Sequence, residues 1–145
     1  MATPSQEDYL KAIWVLVAEK GYARVSDVAD RLGVSTASAS KMVQRLSEQG
    51  LLSYERYRGF SVTALGDREG RALYDRQGVL ERLLARLRIG PSERIHRIVE
   101  GMEHHLDADA VRRFASLVAY IDAHPAWWAE FRDAVLPCEA PDDGA

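Results

Sequence analysis

The sequence predicts a mainly α-helical protein with one β-hairpin in its N-terminal half, and three observations carry that prediction. Apolar residues recur at three- and four-residue spacing through most of the chain. Two helical patterns are separated by the tight break Gly33-Val34-Ser35. Directly after them, Leu51-Leu52-Ser53-Tyr54-Glu55 reads as a strand, Arg56-Tyr57-Arg58-Gly59 as a turn and Phe60-Ser61-Val62-Thr63 as the return strand.

Each element has its own signal. Ser5 is placed to cap the first helix, with Asp8 three residues on in a weaker form of the capping box, and Leu10, Ile13, Trp14 and Val17 follow at helical spacing. Gly21 ends that helix, and Asp8 and Lys11, at i and i+3, face away from its apolar stripe. Val25-Ser26-Asp27 opens a short helix over 27–32, and Ser35 caps a second helix from Thr36 to about Gln49. There Ala39, Met42, Val43 and Leu46 form the buried stripe, while Thr36, Ala37, Ser40, Lys41 and Gln44 share the other face. Small, hydrogen-bonding side chains with one lysine make a face that enters a DNA major groove without steric conflict. A helix, a glycine-containing turn and a second helix with such a face describe a helix-turn-helix, and the hairpin behind it is then a wing. Its tip carries Arg56, Tyr57 and Arg58, side chains suited to the phosphate backbone and the minor groove.

A long helix is expected from Thr63 to about Leu87, with Leu65, Leu73, Leu80, Leu83, Leu84 and Leu87 as its apolar positions, and the Gly-Pro break RIGPS follows, with Ser92 as the next cap. Residues 95–106, IHRIVEGMEHHL, place two glutamates and three histidines in twelve residues. Read as one helix, Ile95, Ile98, Val99, Met102 and Leu106 face a core, and His96, Glu100, Glu103 and His104 occupy the neighbouring sector. Two carboxylates and an imidazole then share a patch at i, i+3 and i, i+4, which is metal-ligand spacing and also the spacing of an acidic solvated face with incidental histidines. Gly101 inside this pattern costs roughly 1 kcal/mol relative to alanine and marks a close backbone approach. Asp107 begins another helix, with Val111, Phe114, Leu117, Val118 and Ile121 inward, ending near His124-Pro125. Trp127, Trp128, Phe131 and Val135 form a last short helix against its neighbours or a partner chain, and after Pro137 the tail CEAPDDGA is expected to be disordered.

At 145 residues and 47% hydrophobic content the chain makes one domain, or two small ones sharing a core. No apolar run reaches 18 residues, and MATPSQEDY lacks the basic and apolar segments of a signal peptide, so the expectation is a cytoplasmic protein outside the membrane. The single cysteine, Cys138, has no partner for an internal disulfide. Net charge is −3, but residues 1–76 hold 11 Lys and Arg against 10 Asp and Glu, whereas residues 77–145 hold 8 against 12. The N-terminal half is therefore the one suited to phosphates. Neither a Gly-rich phosphate loop nor a Ser/His/Asp arrangement is present, and the single Glu-x-x-His motif falls short of a di-iron carboxylate site, which needs such motifs on several helices. An enzyme is not expected.

Five stretches, TPSQEDYLKAI, EKGYARVSDVADRLGVS, SKMVQRL, YERYRG and VEGMEHHL, give the chain a resemblance to the diphtheria toxin repressor family over roughly residues 3–121. Within that family it resembles the short manganese transport regulators that lack a third, SH3-like domain. The resemblance implies a homodimeric, metal-responsive transcriptional repressor of metal-ion homeostasis that binds a palindromic double-stranded DNA operator. It implies an N-terminal winged helix-turn-helix with a two-stranded wing over 1–70, and a C-terminal helical dimerisation and metal-sensing domain over 71–136. The connector helix would run from about 64 to 87, and the tail over 137–145. Thr36, Ser40, Lys41 and Gln44 would then meet bases or adjacent phosphates, and Arg56, Tyr57 and Arg58 the backbone.

The family holds Mn²⁺, or Fe²⁺, through an aspartate and a glutamate on the first helix, a histidine on the connector, and the two glutamates and first histidine of the VEGMEHHL stretch. Asp8, Glu100, Glu103 and His104 match; Lys11 stands where the family has the glutamate and Gln77 where it has the connector histidine. Gln77 offers a carbonyl oxygen, a weaker ligand than imidazole. Lys11 brings a cation to the place of a second metal ion, and opposite charges about 4 Å apart at an effective dielectric near 20 interact by roughly 4 kcal/mol. The expectation is that the Lys11 ammonium stands in for one ion, leaving one weakened metal position, with His96 as an additional imidazole that matches no ligand of the family. The alternatives are a regulator that responds to no metal, or one that answers to a small molecule near Trp127, Trp128 and Phe131.

Overall fold

The computed structural model describes residues 4–136; the tail over 137–145 and Cys138 lie outside the described residues. Along the described chain run α1 (Gln6–Lys20), α2 (Val25–Leu32), α3 (Thr36–Glu48), β1 (Leu52–Glu55), β2 (Gly59–Val62), α4 (Ala64–Arg86), α5 (Ser92–Met102), a 3-10 turn (Glu103–His105), α6 (Ala108–Ala123) and α7 (Pro125–Val135). The protein is mainly α, with a winged helix-turn-helix followed by a C-terminal helical part. It divides into two compact units at Tyr74 and Asp75, inside α4.

In the first unit α1 starts with the capping box read from the sequence. The Ser5 hydroxyl accepts from the Asp8 N–H at 3.2 Å, and the Asp8 carboxylate accepts from the Ser5 N–H at 2.7 Å. Two donors that α1 would otherwise leave unpaired are thereby satisfied. Gly21 closes the helix in the left-handed region, at φ 85°. Tyr9, Leu10, Ile13 and Leu16 from α1 meet Val28 and Ala29 of α2, Ala39, Val43 and Leu46 of α3, and Leu51, Leu52 and Phe60 of the hairpin in one core. Trp14 and Val17, expected in the stripe, are only half-buried. Trp14 lies at the rim, where its indole N–H donates to Asp67 at 2.9 Å and its ring tilts against Tyr74.

The helix-turn-helix is as read, except that α2 starts at Val25, two residues earlier than expected, because the Asp27 carboxylate accepts from the Arg24 N–H at 3.0 Å and caps the helix from inside its first turn. Ser35 caps α3 by accepting from the Ser38 N–H at 3.1 Å. In the wing the first strand starts one residue later than expected and ends at Glu55 as read, and the second is shifted one residue earlier: Leu52 pairs with Val62 and Glu55 with Gly59, leaving Arg56, Tyr57 and Arg58 as the turn. Ala23, between α1 and α2, adds a third strand-like rung, exchanging backbone hydrogen bonds of 2.8 and 2.9 Å with Phe60. A side chain at Gly59, which sits at φ 138°, would strike the Ala23 carbonyl, so this approach requires glycine.

Thr63 begins the long helix as its cap: its hydroxyl accepts from the Gly66 N–H at 3.1 Å and donates to the Gly50 carbonyl at 2.6 Å. Leu65, one of the apolar positions of the long helix, is exposed on the first turn of α4. Further along, in the second unit, α4 uses two faces. Val79 and Leu83 pack with Val118 and Ile121 of α6 and Trp128 of α7, whereas Leu80 and Leu84 pack with Val99 of α5. Ile95, Ile98, Met102 and Leu106 join the second cluster, as their spacing predicted. Leu117 and Trp127, by contrast, remain largely exposed.

Two expectations for α5 do not hold. Pro91, not Ser92, is the cap residue: it is extended, and its carbonyl already accepts from the Arg94 and Ile95 N–H groups, which makes Ser92 the first helical residue. The helix also does not run through 95–106 but ends at Met102, and Glu103–His105 tighten into the 3-10 turn. Asp107 explains the break, since its side chain accepts from the Ala110 N–H at 2.8 Å to cap α6, and Leu106 turns extended to reach that cap. Among the described residues nothing approaches Gly101 within 4 Å of where a side chain would sit, so the close approach expected there is not found among them.

Candidate nucleic-acid interface and metal centre

The apolar stripe of α3 determines what its other side presents. Because Ala39, Val43 and Leu46 are sealed in the core, Thr36, Ala37, Ser40, Lys41 and Gln44 are all exposed. Gln44 reaches Glu48 one turn on, at 3.5 Å, a contact light enough to exchange for a base edge. In the wing Arg56, Tyr57 and Arg58 are exposed as well, Tyr57 at 92%, with the Arg56 guanidinium 5.7 Å from the Tyr57 ring centroid. Tyr57 takes the left-handed backbone conformation, φ 71°, which turns the tip in three residues. Thr36, Ser40, Lys41 and Gln44 with Arg56, Tyr57 and Arg58 offer three hydroxyls, an amide, three cations and an aromatic ring. These are the groups that bind phosphate and read base edges.

One neighbouring residue carried no signal in the sequence. Arg24, just before α2, donates from Nε to the Arg58 carbonyl at 3.0 Å and lies 5.6 Å from the Tyr22 ring centroid. An ordinary connector arginine 34 residues away from its partner looks like any solvated cation in a linear reading.

The candidate metal ligands fall on both sides of the division of the chain. In the first unit Asp8 and Lys11 lie on α1, both half-buried, and the Asp8 oxygen Oδ2 serves the helix cap through the Ser5 N–H and hydroxyl at 2.7 and 3.0 Å. In the second unit the residues fall into local groups. The Glu103 carboxylate is 1% exposed and lies 3.6 Å from His104 Nε2. A carboxylate that deep is held by partners or by a metal, since burying it costs several kcal/mol otherwise. Glu100 is exposed on α5, its carboxylate 3.5 Å from His96 Nε2. Gln77 on α4 donates its amide to Glu81 at 2.7 Å, and the same Glu81 oxygen lies 3.9 Å from His96 Nδ1. Because the helix ends at Met102, Glu100 and Glu103 no longer share the single helical face that their spacing suggested. Glu81 contacts two of the sequence-selected residues; its i−4 neighbour Gln77 was a local signal that was passed over, whereas its approach to His96 joins α4 to α5 and leaves no local mark.

The donor chemistry fits a hard divalent ion: carboxylate oxygens with one or two imidazoles and no thiolate suit Mn²⁺ or Fe²⁺. Among the described residues no helix is long and apolar enough to cross a membrane.

Two family models together match most of the chain. The iron dependent repressor N-terminal DNA-binding domain covers residues 1–60, and the iron dependent repressor metal-binding and dimerisation domain covers residues 63–126. The chain is 45% identical over 125 residues to the HTH-type transcriptional regulator MntR of Lysinibacillus sphaericus (strain C3-41), spanning 86% of this chain and 89% of that protein. To the MntR of Shouchella clausii (strain KSM-K16) it is 41% identical over 143 residues, 99% of each. Among solved structures, T. acidophilum IdeR superposes with a TM-score of 0.72 at 28% identity, over 82% of this chain and 56% of that one. The manganese regulator SloR does so with a TM-score of 0.72 at 27% identity, over 82% and 55%. The chain thus spans little more than half the length of these two structures.

Proposed function

Because the chain belongs to the iron dependent repressor family of metal-dependent, DNA-binding transcriptional regulators, we propose that it is a homodimeric, cytoplasmic repressor of manganese-linked genes whose metal response is altered at two ligand positions. The observation that carries the DNA-binding part is the face of α3: a stripe of Ala39, Val43 and Leu46 in the core forces Thr36, Ser40, Lys41 and Gln44 outward, beside a wing tipped with Arg56, Tyr57 and Arg58. In this reading residues 1–70 bind the operator and residues 71–136 dimerise and sense metal. Thr36, Ser40 and Gln44 read base edges, Lys41 meets a base or an adjacent phosphate, and Arg56, Tyr57 and Arg58 grip the backbone.

Asp8, Glu100, Glu103 and His104 would hold the ion, with Gln77 as a weak additional oxygen donor. A bound divalent cation would supply a fixed positive charge that neutralises these carboxylates and ties together the segments that carry them. Two family relatives carry manganese regulation in their names, which supports Mn²⁺ over Fe²⁺ as the physiological ion. Lys11 on α1 takes the place of an acidic family ligand, and its ammonium substitutes for one ion.

Operator binding measured with and without a strong chelator tests this directly. The expected outcome is that much of the affinity survives chelation, and that Lys11→Glu, which restores an acidic side chain, makes binding chelator-sensitive and rescued by Mn²⁺. If the native protein loses operator binding on chelation and micromolar Mn²⁺ restores it, the built-in cation is wrong while the DNA-binding reading stands.

A further inference from the structure

The wing tip is a strained, three-residue turn. Tyr57 is a bulky residue at positive φ, a conformation that persists only where its surroundings hold it. Within the hairpin the turn is closed by the Arg58 N–H to the Glu55 carbonyl, at a long 3.3 Å. The other grip comes from outside. Arg24 Nε donates to the Arg58 carbonyl at 3.0 Å, a charge-assisted bond roughly twice as strong as a neutral one.

Arg24 is itself held from three directions. Its N–H donates to the Asp27 carboxylate at 3.0 Å, its guanidinium lies against the Tyr22 ring, and the preceding residue, Ala23, is stitched to Phe60 by two backbone hydrogen bonds. Asp27 is fixed in turn by Lys20 at 3.1 Å. At Gly59, the position after Arg58, the glycine that the Ala23 carbonyl requires also leaves the Arg24 side chain room, since a Cβ there would come within 3.1 Å of it. A chain of contacts therefore runs from the α1–α2 connector to the backbone of the residue that carries the tip's second arginine.

We propose that Arg24 is a positioning residue for DNA binding: it fixes the wing turn so that Arg56, Tyr57 and Arg58 meet the DNA backbone in one orientation, without reading the operator itself. The inference rests on the wing being a DNA-contacting element. Its first test does not involve DNA, so the two can fail separately. Amide hydrogen exchange is measured on the free, full-length protein and on Arg24→Met and Arg24→Lys. Both variants should speed exchange at the Arg58 amide by about tenfold, the loss of one charge-assisted bond, and leave the α3 core amides of Val43 and Leu46 unchanged. Unchanged exchange at the turn, or acceleration spread equally through α3, overturns the proposal. In the second test Arg24→Met should weaken operator binding by about tenfold in the native background. In a background with Arg56→Ala and Arg58→Ala it should cost under about twofold, because both cations it positions are already gone and only the uncharged Tyr57 remains. Equal losses in both backgrounds make Arg24 an independent phosphate contact and overturn the proposal, as does full rescue of binding and exchange by Arg24→Lys, which keeps the charge without the planar fork. If the Arg56 and Arg58 replacements leave affinity untouched, the wing reading is what fails, and the exchange result still decides whether Arg24 fixes the turn.

Discussion

At the scale of single residues the contacts proposed to DNA differ in kind, and salt separates them. A lysine or arginine that neutralises a phosphate releases condensed counterions, so each such contact adds close to one unit to the slope of log affinity against log salt. Lys41 on the exposed side of α3 and Arg58 on the wing are the two cations with the clearest route to phosphate, since α3's opposite stripe is locked in the core and the tip projects from the hairpin. Replacing either with alanine should flatten the slope by about one charge and weaken non-specific and operator DNA alike. Titrations across a range of salt concentrations check this, and an unchanged slope removes that residue from the contacts. Gln44 should behave in the opposite way: an amide in place to read a base edge carries no charge, so Gln44→Ala costs specificity at one position and leaves the slope alone. Lys11 and Gln77 belong to neither class, because they were noticed only where a family pattern was interrupted. No local property of a half-buried lysine near the start of a helix marks it as a cation for an anionic site.

At the scale of elements, the junction of α1 and α2 is where charge and stability are linked. Desolvation alone would raise the Asp27 carboxyl, but the hydrogen bonds from Lys20 and from the Arg24 N–H, with the charges of both side chains, hold it below its ordinary value of 3.8. A carboxyl depressed on folding stabilises the fold fully above its unfolded value and loses that contribution as pH falls through the folded one. Asp27→Asn should therefore destabilise the protein at neutral pH, by at most about 1 kcal/mol for a partly exposed cap. The gap to the native protein should close on acidification through and below pH 3.8. Urea melts of both proteins at several pH values test it, and a gap that persists in acid sinks the linkage. The same elements mark how far local pattern carries. The α1 cap, the helix-turn-helix and the α5 stripe of Ile95, Ile98, Val99 and Met102 were legible because each depends on neighbours within four residues. The end of α5 at Met102 was not, because helical spacing continues unbroken to Leu106 while the competing signal, the Asp107 cap, belongs to the next helix. Leu65 and Leu117 carry the right spacing yet stay exposed, since periodicity gives a face and only the packed neighbours decide whether that face is covered. Contacts such as Arg24 with Arg58, or His96 with Glu81, join residues on different elements and leave no trace in any window of the sequence.

At the scale of the whole molecule, the proposed homodimer, which the match to a metal-binding and dimerisation domain over residues 63–126 supports, would turn one recognition helix into two. A twofold dimer presents its two copies of α3 to DNA in a fixed relation, so both enter major grooves only when the half-sites lie on one side of the duplex. Their centres are then about 34 Å apart, or a multiple of that spacing. The geometry is strict because the duplex repeats about every 10.5 base pairs, so lengthening the spacer by half a repeat, about five base pairs, turns one half-site to the far side. The second helix then loses its base contacts and keeps only phosphate attraction, which is insensitive to sequence. Binding to such a lengthened operator should fall toward the non-specific level, on the order of 10³-fold below the native site. The residual binding should retain a steep salt dependence, because the phosphate contacts survive. Fluorescence anisotropy with native and lengthened duplexes at matched salt measures both quantities at once. A protein that bound each half-site independently would hold the two duplexes equally well, and that equality would rule out a fixed twofold arrangement of the recognition helices.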